Sequence, residues 1–172
     1  MTSFTIPTVE TENLILRAHR TEDLPAVVEF FASERAESVG GQMDEGDCWR
    51  AMLRGAGHWA LRGYGLWYIQ DKATGKVAGW AGVLHHIEWP EPELAWTLFE
   101  GFEGKGVAFE AATAARLYAA RHFDLNALIS LIAPENTRSL ALAARLGATF
   151  ERETVVNGYN CHLYRHPKVE TA

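Results

Sequence analysis

Apolar positions along the chain change their period several times, and the changes mark out the elements. After a short polar lead, Leu14-Ile15-Leu16 reads as a first strand. Leu24, Val27, Val28 and Phe31 then recur at helical spacing. Thr21 is expected to cap that helix, with Glu22 and Asp23 in the first turn against the helix dipole. Ser33 to Gly46 is polar and carries Gly40-Gly41, which predicts a mobile connection. A second helix is expected over Cys48 to Leu61, interrupted by Gly55 and Gly57.

Three strand-like runs follow, Leu66 to Gln70, Lys76 to His85 and Glu93 to Phe99, the first two joined by Asp71-Lys72-Ala73-Thr74-Gly75. They predict an antiparallel meander. From Val107 the period becomes helical again. Ala108, Ala111, Ala112, Ala115, Tyr118 and Ala119 give an alanine-rich helix able to lie close against a sheet. Leu128 to Ala133 is an apolar strand and Thr137 to Leu146 a helix ended by Gly147. Ala148 to Thr154 and Tyr159 to Arg165 form a closing hairpin turned at Asn157-Gly158. The order is βααβββαβαββ, an α/β (α+β) chain with a mixed central sheet of about seven strands and helices on both faces.

At 172 residues the chain is long enough for one core and short for two, so 1–172 reads as a single domain. A formal charge of -6 argues against a phosphate-backbone binder, which concentrates Lys and Arg, so nucleic acid is not an expected partner. Cys48 and Cys161 lie far apart and suggest neither a disulfide framework nor a thiolate zinc site; no metal is expected, and a reducing cytoplasm fits. No signal segment or membrane-spanning run is read, and monomer and homodimer both stay open.

The most informative stretch runs from Glu93 through a glycine-rich turn into the alanine-rich helix. Gly104 and Gly106 let the backbone turn tightly, and the first amides of the following helix lack internal partners at the positive dipole end. That combination makes an anion site. A Walker loop is excluded because Gly104-Lys105 is followed by Gly106, and a dinucleotide fingerprint because position 109 is Phe109.

The stretch resembles the pyrophosphate loop of the GCN5-related N-acetyltransferase (GNAT) superfamily, Gln or Arg, any two, Gly, any, Gly or Ala. It falls here on Glu103-Gly104-Lys105-Gly106-Val107-Ala108, with Glu103 departing from the pattern; a carboxylate there should not help bind a pyrophosphate, so weaker affinity rather than lost function is expected. Asn136-Thr137-Arg138-Ser139 followed by Ala143-Ala144-Arg145-Leu146-Gly147-Ala148 is similar to the second signature of the Rim-type branch, which acetylates ribosomal-protein N-termini. Thr11-Glu12-Asn13-Leu14-Ile15-Leu16-Arg17 resembles that branch's opening, Asn13 replacing Arg. The resemblance implies acetyl-CoA in a V-shaped opening between the fourth and fifth of the seven strands. Leu98 and Phe99 would pair with the pantetheine through their backbones, and Gly104, Lys105, Gly106, Val107, Ala108 and Phe109 would cradle the diphosphate. Asn136 would contact the pantetheine or simply cap the last helix.

Acetyl transfer from a thioester to an amine needs a base for the amine and a donor for the departing thiolate, while positioning alone can supply much of the rate. Glu93 is the first choice for base, by resemblance to the strand-four glutamate of the histone-acetylating branch. His85, His86, Glu88, Glu91, Glu151 and Glu153 are reserves. Ser139 is the leaving-group donor that the Rim-type resemblance implies. Trp49 and Trp89 are candidate acceptor-pocket residues, and Glu34, Glu37, Asp44, Glu45 and Asp47 a field for a cationic amine. The expected activity is N-acetylation of a protein N-terminus or a small-molecule amine by direct attack in a ternary complex. The competing reading is a catalytically silent acyl-CoA-binding or sensor module.

Overall fold

The computed structural model describes residues 3–171. Among these the strands are β1 (Val9–Glu10), β2 (Leu14–Arg17), β3 (Leu66–Asp71), β4 (Val77–Leu84), β5 (Glu93–Leu98), β6 (Ile129–Ile132), β7 (Thr149–Val156) and β8 (Tyr159–Arg165). The helices are α1 (Leu24–Phe31), α2 (Glu45–Arg62), α3 (Val107–His122) and α4 (Thr137–Arg145). The sheet order is β1-β2-β3-β4-β5-β6-β8-β7, and β5–β6 is its parallel pair. The strand beyond the expected seven is β1, two residues pairing with Glu10 opposite Ile15, too short to show any alternation.

Alternation along the strands explains the layers. Trp67 and Ile69 of β3, with Leu14 and Leu16 of β2, point to the face where α3 lies, and Tyr68 of β3 points to α1 and α2. Ala111, Ala112, Ala115 and Ala119 of α3 are fully buried, so the helix backbone sits close over β4 and β5. On the opposite face Val27, Phe30 and Phe31 of α1 and Met52 of α2 pack with Trp80 and Phe99.

Three local expectations are corrected. Thr21 does not cap α1: it opens a 3-10 turn, Thr21–Asp23, and α1 begins at Leu24. Asp23 is buried and forked by Arg17 at 2.7 and 2.9 Å, so its carboxylate holds the β2 end to the turn. Second, α2 runs unbroken through Gly55 and Gly57 and begins earlier than expected, capped by the Asp44 side chain on the Asp47 amide at 2.7 Å. Gly55 is a packing residue, since a Cβ there would stand 2.7 Å from His19 Nε2. Third, the Ser33 to Gly46 connection contains a 3-10 helix, Glu34–Val39, whose Ala36 is buried.

Candidate active site

The site begins where the sheet comes apart. β5 and β6 are parallel and register only at Glu93 opposite Ile129. The next rung of a parallel ladder would join the Leu131 amide to the Leu94 carbonyl. Instead the Leu131 amide donates to Glu93 Oε1 at 2.9 Å, and the Leu94 carbonyl accepts the Ser130 hydroxyl at 2.6 Å. Two side chains therefore stand where one backbone bond would close the sheet. Beyond them β5 continues to Leu98 with no strand partner on that side among the described residues.

Which peptide groups face the gap follows from the antiparallel alternation. Thr97 is opposite Trp80, and the Phe99 amide donates to the Ala78 carbonyl at 2.8 Å, so these residues bond toward β4. Leu94, Trp96 and Leu98 then turn their peptide groups toward β6. Leu98 thus has its peptide groups turned to the gap, whereas Phe99 has its amide committed to Ala78 and its ring buried between α1 and Trp80. Trp96 is the residue that shares the Leu98 orientation. The β4 side approaches closely at Gly79, where φ is +140° and a Cβ would lie 2.0 Å from the Thr97 carbonyl oxygen.

At the open end of the gap, Gly104 (φ +70°) and Gly106 (φ +79°) bend the chain into α3. Gly106 is the N-cap residue and has no side chain to cap the helix, so the amides of Val107, Ala108 and Phe109 face outward without a side-chain partner among the described residues. Lys105 Nζ donates to the Gly101 carbonyl at 2.8 Å. The amides, the dipole and the exposed glycines fit a diphosphate.

Glu93 lies at the vertex. It is 8% exposed, with Trp89 Nε1 donating to its Oε2 at 2.6 Å. Burial pushes its pKa up to about 7, against the two hydrogen bonds that favour the anion. The other carboxylates weighed for base are differently placed. Arg165 forks Glu91 at 2.7 and 2.8 Å and also holds Glu151 at 2.8 Å, keeping both below the usual carboxylate range, while Glu153 is exposed. The His85 amide donates to His58 Nε2 at 3.0 Å, and the His86 ring meets Trp89 edge-on at 4.8 Å.

Across the gap α4 brings Ser139 and Asn136. Asn136 Oδ1 accepts the Ser139 amide at 3.2 Å, so the cap is formed, and the Nδ2 group is left to donate elsewhere. Trp96 Nε1 donates to Ser139 Oγ at 3.3 Å, linking the two walls. Cys161 is half-buried and burial raises its thiol pKa. Trp49 lies on α2, away from the vertex and 37% exposed, and Asp47 pairs with Arg50, so these are not drawn into the site. Arg35, Trp96 and Ser130 were not singled out from sequence; an isolated Arg, Trp or Ser carries no spacing signal. Among the described residues no group of three or more His, Cys, Asp or Glu could hold a metal ion, and no helix is long and apolar enough to cross a membrane.

Residues 13–149 match the acetyltransferase (GNAT) domain family. A crystal structure of an acetyltransferase from Agrobacterium tumefaciens superposes with a TM-score of 0.86 at 36% identity, over 98% of both chains. The Escherichia coli K12 [ribosomal protein uS5]-alanine N-acetyltransferase is 28% identical over 162 residues, 87% of this chain and 80% of that protein. A ribosomal L7/L12 α-N-protein acetyltransferase solved with coenzyme A shares the fold, with a TM-score of 0.79 at 18% identity, over 96% of this chain and all of that one. The chain belongs to the GNAT acetyltransferase family and is an acetyl-CoA-dependent acyltransferase.

Proposed function

We propose that the chain transfers the acetyl group of acetyl-CoA directly to a primary amine held with it in a ternary complex, and that the amine is a protein N-terminus. The observation that carries this is the gap itself: a strand edge at Trp96 and Leu98, a glycine-framed set of helix amides at its mouth, and a raised-pKa carboxylate at its vertex. Pantetheine would pair with the strand edge and diphosphate would lie on the amides of residues 104–109. Asn136 Nδ2 would donate to the pantetheine arm.

Glu93 is the base in this reading. A carboxylate with a pKa near 7 is matched to accept a proton at neutral pH, and as a buried group it delivers that capacity at the vertex, through water if the amine does not touch it. Ser139 donates a hydrogen bond to the departing thiolate, which leaves as the anion and takes its proton from solvent. Its Oγ already accepts from Trp96, an N–H that can only donate, so its own hydrogen is free to point at the sulfur. The uS5-alanine relative, whose substrate is a protein N-terminal alanine, supports the peptide acceptor over a small amine. The test is release of free CoA thiol from acetyl-CoA in the presence of peptides with free α-amines, against polyamines and amino acids. Release with peptides supports the reading, release with small amines alone moves the acceptor, and CoA binding without release with any amine favours a silent acyl-CoA module.

A further inference from the structure

The GNAT loop pattern has Gln or Arg where this chain has Glu103, and a bare carboxylate beside the amide cradle would repel a diphosphate. The structure engages that carboxylate elsewhere. Glu103 is ion-paired with Arg35 of the Glu34–Val39 turn, accepts the Gly101 amide at 2.9 Å, and has Arg138 of α4 at 4.0 Å. Burial works to raise its pKa, but its own amide, Arg35, the Gly101 amide and Arg138 together hold it below the usual range. The groove around these groups, about 660 Å³, is also lined by Glu34 and Glu100, so it is not a positive patch that would recruit phosphate by charge alone.

Arg35 shows what the pair does. Its Nη2 donates to the Leu98 carbonyl at 2.9 Å, while its Nε is buried and has no partner among the described residues. An unpartnered buried N–H is unfavourable, so this placement of the guanidinium depends on the bonds its other two nitrogens make. Leu98 carries the last peptide group that β5 turns toward the gap. Glu103 therefore connects three things: the cofactor loop, the α1–α2 connection, and the strand edge beside the gap.

We infer that Glu103 is a positioning residue for cofactor binding, which acts by seating Arg35 against the Leu98 carbonyl and so fixes the strand edge that pantetheine pairs with. This rests on the reading of the gap as the acetyl-CoA site. It reverses the expectation from sequence, in which Glu103 weakens binding as a misplaced charge.

Isothermal calorimetry with CoA, and with pantetheine as a probe that lacks the diphosphate, separates the two. The proteins are the full chain, Glu103→Gln, Arg35→Gln and the double variant. Each single change is expected to weaken CoA roughly three- to tenfold, the scale of a part-exposed ion pair with charge-assisted bonds. Pantetheine should weaken by the same factor, because it uses the same strand edge, and the double variant should be no weaker than either single one. Tighter or unchanged CoA binding in Glu103→Gln, an effect confined to CoA, or additive losses in the double variant would each overturn the positioning role. Failure of the unaltered chain to bind CoA would overturn this role and the cofactor reading together.

Discussion

The Glu93 carboxylate accepts the Leu131 amide at 2.9 Å, in the place where a backbone carbonyl would otherwise have closed the sheet. One residue thus both helps part β5 from β6 and stands at the vertex of the gap it opens. Its other oxygen takes the Trp89 indole N–H, so the side chain is fixed at both ends.

Glu93→Gln separates these roles. The amide oxygen can still accept one of the two N–H groups, so the fold should persist, with a donor left facing a donor at the other. Turnover should fall by roughly a hundred- to ten-thousandfold, as for loss of a positioned base. In the unaltered enzyme the rate should rise with pH through about 7 as Glu93 ionises, an inflection the variant lacks. The deficit should therefore widen through about pH 7 and shrink again well above it, where more of the amine is already neutral. A pH–rate series on both proteins checks this, and an equal deficit at every pH would leave Glu93 a purely structural part.

The cradle is tested by a matched pair of alanine substitutions. Gly106 and Gly158 both have φ +79° and open space where a Cβ would point, so Gly106→Ala and Gly158→Ala incur the same left-handed strain, about 1–2 kcal/mol. The two should lose similar thermal stability. CoA affinity, measured by calorimetry, should fall only in Gly106→Ala, whose new methyl group stands at the helix amides; Gly158 is at the far tip of the β7–β8 hairpin.

Ser139→Ala should slow turnover by less than Glu93→Gln does, on the order of tenfold, because a thiolate can leave unprotonated. Trp96→Phe keeps an aromatic ring, though a smaller one, and removes the N–H that occupies Ser139 Oγ, so it should show a similar loss, and combining it with Ser139→Ala should add little. Steady-state turnover of the three variants checks the coupling. Fully additive losses would mean that Trp96 does not act through Ser139.

Stability should fall in acid through the buried histidines. Burial lowers His19 and His166 to about 4 and also lowers His58. Above pH 6.5 these are neutral in both folded and unfolded chains and contribute nothing to the pH dependence. Between 6.5 and 4 the unfolded chain takes up protons that the folded one refuses, so stability is lost across that window. Glu93 acts oppositely: its raised pKa means the folded chain binds a proton first, and stability is gained as pH falls from about 7 to 4.5. Melting temperature against pH should therefore drop more steeply in Glu93→Gln than in the unaltered chain. A parallel pair of curves would contradict the buried-carboxylate assignment.

Much of the fold was legible because its period changes are local. The meander, the alanine helix and the Asn157-Gly158 hairpin each rest on a pattern a few residues long, and each forms where that pattern stands. The errors share one cause, that partners outside the local pattern decide the outcome. Gly55 looks like a helix breaker until His19 is seen to occupy the space of its missing side chain. Asp23 reads as a first-turn acid until Arg17 forks it. Within the site, the glycine turn and Asn136-x-x-Ser139 were visible as strings, whereas the side chains of Trp96, Ser130 and Arg35 come into view through contacts distant in sequence, to Ser139, Leu94 and Leu98. Phe99 was a parity error: neighbouring strand residues turn opposite ways, and only the register with β4 says which of them faces the gap.

The central claim is that the gap between β5 and β6 receives the cofactor, and a crystal structure of the chain grown with CoA tests it most directly. The expected result is pantetheine bonded to the peptide groups of Trp96 and Leu98, diphosphate on the amides of residues 104–109, and the sulfur between Glu93 and Ser139. CoA bound on another surface, or in the gap with its sulfur remote from both side chains, would contradict the account.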